Sequence, residues 1–211
     1  MSERDWREQR KAGMAAIAVS ALVGVAMWFA VNRLLAPLAG MDELAARMLV
    51  ALKCCAVAAL FCLAAGVEAI AHERLQSAAF DPLAGHETTR LRVNKQYLQN
   101  TLEQFVLFAV GLFGLAAYSD SGGAMRAVIA TTVVWIAFRF AFWIGYHRSA
   151  AMRGMGAPGM AVGLLMLLYV CARVGGDVTG PAGAVAVVAA FLALEAVLFR
   201  ATRGRAAEAR A

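Results

Sequence analysis

Six uninterrupted apolar runs, at about residues 12–31, 48–71, 97–118, 124–146, 155–172 and 182–199, constrain this chain more than any other feature. Crossing about 30 Å of hydrocarbon takes roughly 20 apolar helical residues, and each run approaches that length. Of the 211 residues 62% are hydrophobic, 16% are charged and four are proline, which is too apolar for a soluble domain of this size. The expected fold is therefore all-α, a polytopic membrane helix bundle with six spans. The last two runs are the shortest and are split by "RVGGDVTGPAG". Its glycines, Asp177 and Pro181 read as a tight turn rather than as continuing helix.

The formal charge of +6 has a distribution that decides its meaning. Arg4, Arg7, Arg10 and Lys11 precede the first run, Arg74, Arg90, Arg92 and Lys95 lie between the second and third, Arg148 and Arg153 between the fourth and fifth, and Arg200, Arg203, Arg205 and Arg210 after the sixth. With six crossings all of these share one side. The other side has Arg33, Arg47, Arg126 and Arg173, while Lys53 and Arg139 lie inside runs. The positive-inside rule then makes both termini cytoplasmic, and the membrane expected is an inner, or cytoplasmic, one. The basic excess is a topology signal, and no nucleic-acid partner is expected from it. The first run has a charged leader, but it is longer than a signal-peptide core and no small-residue cleavage site succeeds it, so a retained anchor is expected. Cys54, Cys55, Cys62 and Cys171 fall inside runs without a C-x-x-C spacing and read as small buried apolar residues.

An ionised side chain at mid-span costs about 2.5 to 3.5 kcal/mol on insertion scales, so each one kept there needs a reason. Lys53 and Glu195 are near enough to the ends of their runs to snorkel. Glu103 and Arg139 are harder to dismiss. At 1.5 Å per residue Glu103 lies about 9 Å past Tyr97, and Arg139 about 10 Å before Tyr146 on the next, antiparallel helix. The matched depth predicts that the two face each other or share a polar network, either as a structural pair that fixes register or as part of a site. Arg92, Gln96, Gln99, Asn100 and Glu103 recur at spacings of three and four, which gives this helix one wet stripe. Arg139, Trp143, Tyr146, Ala150 and Arg153 form a second stripe if the helix continues through "HRSAAMR". The stripes either bind helices together or converge on a cleft for a polar, anionic molecule at the cytoplasmic boundary, open sideways to lipid.

The motifs themselves have a counterpart. "QNTLEQFVLF", with "GYHRSAAMR" some forty residues later, resembles the MAPEG family, the membrane-associated proteins of eicosanoid and glutathione metabolism. Asn100 and Glu103 match the family's N-x-x-E, and Gly145, Tyr146, Arg148, Ser149 and Arg153 match its G-Y-x-R-S-x-x-x-R pattern. The resemblance implies a MAPEG-like four-helix core at 46–175, an extra helix with its cytoplasmic leader at 1–45 and an extra helix with a basic tail at 176–211. It also implies a homotrimer that binds glutathione as co-substrate between subunits. By the resemblance Arg153 holds the thiolate, with Arg148 the next candidate, while Arg74, Asn100, Glu103 and Tyr146 hold the peptide; Gln96 and Arg139, on the two polar stripes, are further binding candidates. Four positions depart from the family pattern: Gln96 stands where an arginine is common, Gln104 and Phe142 where aromatic hydroxyls are, and Val106 where a proline is.

The resemblance thus implies a membrane-embedded glutathione or small-thiol transferase or peroxidase acting on lipophilic electrophiles or lipid hydroperoxides, with membrane lipids as surroundings and a lipophilic small molecule as substrate. The alternative is a non-catalytic membrane adaptor that holds a lipid or a partner protein in the same intersubunit groove. A transporter would need ionisable groups across the whole bilayer, whereas these acids cluster in the cytoplasmic third. His72, His86 and His147, with Glu73 and Glu87 nearby, have no ligand spacing, so no metal is expected. The charged segment 72–95 reads as a long cytoplasmic connection that caps the cleft.

Overall fold

A computed structural model describes residues 3–149 and 151–208, with side chains described over 5–149 and 151–202. Ala150 and Arg210, and the side chains of Arg4, Arg203 and Arg205, lie outside the described residues. The described chain is α1 (Glu3–Leu34), α2 (Leu44–Ala58), a π-helical turn (Ala59–Ala64), α3 (Ala65–Leu75), a 3₁₀ turn (Ala78–Phe80), α4 (Thr89–Ala117), α5 (Arg126–Arg148), a second 3₁₀ turn (Met152–Gly156), α6 (Ala157–Thr179) and α7 (Pro181–Glu208). Six helices are long and apolar enough to cross a membrane, α2, the π turn and α3 together making the second. The protein is an all-α membrane helix bundle, as the apolar runs require.

Helix ends obey local chemistry. Thr88 caps α4, its hydroxyl oxygen accepting from the Leu91 amide at 3.0 Å. The helices begin and end beyond the apolar runs, so the long 72–95 connection shrinks. His72, Glu73 and Arg74 belong to α3, residues 89–95 belong to α4, and only 76–88 connects them. The "RVGGDVTGPAG" turn is likewise narrower than expected. Helix α6 continues to Thr179 and Gly180 alone breaks it, at φ 71° and with its amide donating to the Gly176 carbonyl at 2.8 Å. A left-handed glycine closes one helix and Pro181, which has no amide hydrogen to lose, opens the next.

The fold divides into two compact units, residues 1–166 and 167–211. In the first, α4 packs against α2, α3 and α5, and α1 lies along α5 and the 3₁₀ turn after it. Its core holds Phe108, Leu112, Trp135, Met125 and Cys62, with Phe108 stacked on Trp135 at 4.5 Å between centroids. Leu22, Leu60, Val110 and Leu165 are exposed, as suits a surface solvated by lipid. At one end Arg47 donates to the Ser119 carbonyl, Arg126 to the Gly123 carbonyl at 3.0 Å, and the Leu38 amide to the Gly122 carbonyl at 3.1 Å. The other end gathers the start of α1, the end of α3, the start of α4 and the end of α5. In the second unit Gly175 and Gly183 face each other so closely that a Cβ on Gly175 would stand 2.6 Å from the Gly183 carbonyl oxygen, the small-residue contact that lets membrane helices approach. Cys171 corrects the sequence reading: it is exposed, whereas Cys55 and Cys62 are buried.

Candidate functional site

Leu91, Asn94, Tyr97, Thr101 and Phe108 lie on the stripe that α4 buries within the bundle. At 100° per residue Asn100 lies about 105° from the middle of that stripe and Glu103 about 165°. This rotation separates the two motif residues. Asn100 reaches inward and its Oδ1 accepts from Arg139 Nη1 at 2.9 Å. Glu103 is exposed on the outside of the bundle, where its Oε1 accepts from Gln99 Nε2 at 3.4 Å. The expected pairing of Glu103 with Arg139 is thus corrected: the polar network forms between Arg139 and Asn100, and Glu103 is not part of it.

Arg139 is fully buried, with 0% of its surface exposed. Its guanidinium lies over the Phe142 ring at 4.7 Å and the Trp135 ring at 6.0 Å. Nε and Nη2 are buried with no hydrogen-bond partner, and among the described residues no carboxylate pairs with this cation.

From Arg139 a ladder of rings leads to the end of the bundle. Phe142 packs on Tyr146 at 5.5 Å, and the Arg153 guanidinium lies over the Tyr146 ring at 5.3 Å. Arg153 does not get there by continuing the helix. Helix α5 stops at Arg148, Ser149 is extended, and its hydroxyl oxygen accepts from the Met152 amide at 3.1 Å as the chain doubles back. Gly145 makes room for this reversal, since a Cβ there would collide with the Met152 carbonyl. The stripe expected on one continuous helix is therefore a helix plus a returning 3₁₀ turn.

The remaining candidates are spread more widely. Arg148 is exposed in the last turn of α5, and Gln96 is exposed on the outer face of α4 with Arg92 and Gln99. Arg74 is half-buried in the last turn of α3, with an unpartnered Nε. Among the described residues, two cavities at this end of the first unit concern the candidates. One, of about 510 Å³, is lined by Arg139, Phe142 and Arg153 together with the start of α1. The other, of about 450 Å³, lies among α3, α4 and α5 and is lined by His72, Glu73, Arg90, Asn94, Trp143 and His147. Gln96, Gln99 and Glu103 line neither.

A family model for the MAPEG family matches residues 44–176. This chain belongs to the MAPEG family. The match runs from the start of α2 almost to the end of α6, leaving α1 and α7 outside it. No curated protein and no solved structure matches the chain.

Asn94 was not among the sequence candidates. Its Oδ1 accepts from Trp143 Nε1 and contacts His147 Nε2, both at 3.0 Å. Tyr97 beside it stacks on Trp143 at 4.4 Å and donates its hydroxyl to the Cys62 carbonyl at 3.2 Å, within the π turn. The spacing of 94, 97, 101 and 108 carries this buried stripe and was there to be read. Arg10 on α1 was counted only as a topology signal and Trp6 was not singled out, yet both line the larger cavity. Among the described residues no three His, Cys, Asp or Glu side chains converge as a metal site.

Proposed function

We propose that this MAPEG-family chain is a membrane-embedded thiol transferase or peroxidase, using glutathione or another small thiol against lipophilic electrophiles or lipid hydroperoxides. The observation that carries the reading is the ladder from Asn100 through Arg139, Phe142 and Tyr146 to Arg153. It ends on an exposed guanidinium beside a cavity with no acidic residue among the described ones that line it. A thiol of pKa about 8.5 is mostly protonated at neutral pH, and an adjacent guanidinium favours the anion that attacks. The thiol supplies the nucleophilic sulfur, and Arg153, held on the Tyr146 ring, stabilises its charge. The residues suit an anion, because three arginines line the cavity and two Arg139 nitrogens lack partners.

The outer stripe of α4 supports an assembly. Gln96, Gln99 and Glu103 are exposed on a helix that crosses hydrocarbon, where polar groups are costly unless covered. A neighbouring subunit of a homotrimer covers them, and Glu103 then accepts the glutathione ammonium at the interface while Arg74 pairs with a carboxylate. The orientation in this reading is an inner membrane with both termini cytoplasmic.

The test is the ultraviolet thiolate difference spectrum of the purified protein in detergent, titrated with glutathione beside Arg153→Ala. A saturable signal that vanishes in a folded Arg153→Ala supports the reading. An unchanged signal in the variant removes Arg153 from the mechanism. A flat titration of the folded wild type removes glutathione activation and favours the non-catalytic adaptor that holds a lipid or a protein.

A further inference from the structure

The larger cavity has a wall that the MAPEG match does not include. Trp6, Arg10, Gly13 and Ile17 recur at spacings of four, three and four, so they share one face of α1, and that face is turned onto the cavity. The seating is specific along the helix. A Cβ on Gly154 would stand 3.1 Å from both the Gly13 carbonyl oxygen and Ile17 Cγ1, and one on Gly24 would stand 3.0 Å from Pro158 Cβ and 3.2 Å from the Phe138 ring. Beyond that, Trp28 Nε1 donates to Thr131 Oγ1 at 3.0 Å. A helix that merely shielded the bundle from lipid would not need contacts this close.

Three guanidinium groups come to this cavity, from Arg10 on α1, Arg139 on α5 and Arg153 on the 3₁₀ turn, and none of the described residues lining it is acidic. Arg10 lies over the Trp6 ring at 5.6 Å, a contact through the face of the guanidinium that leaves its in-plane donors available to a ligand. Arg139 is the independent observation. It is fully buried, and Nε and Nη2 are unpartnered. A buried cation that keeps donors unused in protein is set to receive an anion from outside it. The wall facing lipid is apolar, with Met14 59%, Ile17 36% and Met160 48% exposed.

We infer that α1 completes a binding site for an amphiphile whose anionic head, a carboxylate or a phosphate, is held among Arg10, Arg139 and Arg153 while its hydrocarbon lies along Met14, Ile17 and Met160. The site needs no thiol. It goes beyond the thiol chemistry proposed for Arg153 by assigning α1 a direct contact with a ligand of defined class. An acyl carboxylate and a membrane phospholipid share this chemistry.

Trp6 lies in the cavity wall and reports on it directly. Full-length protein in maltoside detergent is titrated, without thiol, with dibromostearate, its neutral methyl ester, or a brominated phosphatidylglycerol, and tryptophan quenching is compared in wild type, Trp6→Phe and Arg10→Gln. The expected result is saturable quenching by a charged probe, absent for the ester, with the saturable part lost in Trp6→Phe. In Arg10→Gln binding weakens by about tenfold, the loss of one charge-assisted contact. Saturation by dibromostearate identifies an acyl carboxylate, and saturation by the phospholipid alone identifies a lipid phosphate. Equal quenching by acid and ester, an unchanged affinity in Arg10→Gln, or no Trp6 component overturns the inference. Because no thiol is present, a flat glutathione titration leaves this result standing, and the reverse also holds.

Discussion

Asn100→Ala tests whether the polar contact between Asn100 and Arg139 stabilises the bundle. Among the described residues Arg139 donates one side-chain hydrogen bond, to Asn100, and its guanidinium is otherwise held by two rings. A hydrogen bond to a charged group contributes about 1.5 to 3 kcal/mol, whereas contacts between membrane helices average about 0.6 and reach about 1.7 kcal/mol in double-mutant cycles. The lower figure reflects an unfolded state in which the freed group finds other partners. Here the group left behind is a fully buried cation rather than a neutral amide, which favours the upper end. We expect Asn100→Ala to cost about 2 kcal/mol. Arg139→Met, which keeps the bulk and removes the charge, is expected to cost under about 1 kcal/mol. In the Arg139→Met background the asparagine substitution should then cost only about 0.5 kcal/mol, a coupling of about 1.5 kcal/mol. The assay is reversible unfolding by dodecyl sulfate in mixed micelles, monitored by circular dichroism, at one fixed protein concentration because assembly shifts apparent stability. Additive single effects, with a coupling below about 0.5 kcal/mol, would falsify the claim that Asn100 is the partner that matters to Arg139.

Three other contacts give further expected outcomes. Gly145→Ala forces a Cβ onto the Met152 carbonyl, so it should destabilise by about 1 to 3 kcal/mol and weaken the thiolate spectrum while helix content persists. A full signal would mean that the 3₁₀ turn does not position Arg153. Tyr97→Phe removes the hydroxyl that bonds the Cys62 carbonyl in the π turn but keeps the stack on Trp143. It should cost about 0.6 kcal/mol, read from the same unfolding midpoints, and a loss above about 2 kcal/mol would be too large for that one bond. Glu87, ahead of α4, accepts from Lys95 at 2.8 Å and from Arg92 at 3.3 Å, and these bonds hold its carboxyl below the usual carboxylate range. A lowered folded-state value contributes stability above the ordinary carboxylate pKa, and that contribution is lost as pH falls through the folded value. Amide exchange at the start of α4, corrected for intrinsic rates, should therefore rise on acidification in wild type and rise less steeply in Glu87→Gln. Equal pH dependence in both proteins would clear Glu87 of the effect.

The spans were legible because a helix in hydrocarbon has one dominant requirement, enough consecutive apolar residues, and that is a local property of the chain. Depth was legible only to within about one helical turn, since Arg139 meets Asn100, three residues before the Glu103 whose depth it was matched to. Rotation was the harder part. Asn100 and Glu103 differ by three positions and sit in one motif, yet one turns inward and the other outward. Which side of α4 is protein depends on how α2, α3 and α5 surround it, and the buried stripe through Asn94, Tyr97 and Thr101 records that choice more faithfully than the charged residues do. The reversal after Arg148 was hidden for a similar reason. Gly145 is needed only because the chain returns over it, and within "GYHRSAAMR" the local sign of the return is Ser149, whose hydroxyl oxygen accepts from the Met152 amide. Arg10 was legible as a charge and illegible as a ligand contact, because the arginines that share its cavity lie more than a hundred residues away in sequence.

The energetics of Arg139 explain why a charge there calls for a ligand. Placing an arginine at mid-span costs about 2.5 to 3.5 kcal/mol on insertion scales. The bond to Asn100 offsets about 1.5 to 3 kcal/mol of this, and a desolvated ring contact contributes up to about 2 kcal/mol. The total is close to zero, so stability alone does not favour arginine over a methionine of similar bulk at this position. What methionine cannot provide is donors, and two of the Arg139 donors are unused within the protein. Arg139 lines the cavity that also receives Arg10 and Arg153. An anion arriving there meets a cation whose desolvation was completed when the protein folded, so it gains the attraction of a low-dielectric site without that part of the cost. The same reasoning makes α1 more than a cover. Without it the cavity has no Arg10 and no Trp6, and the head of the ligand would be held on one side only.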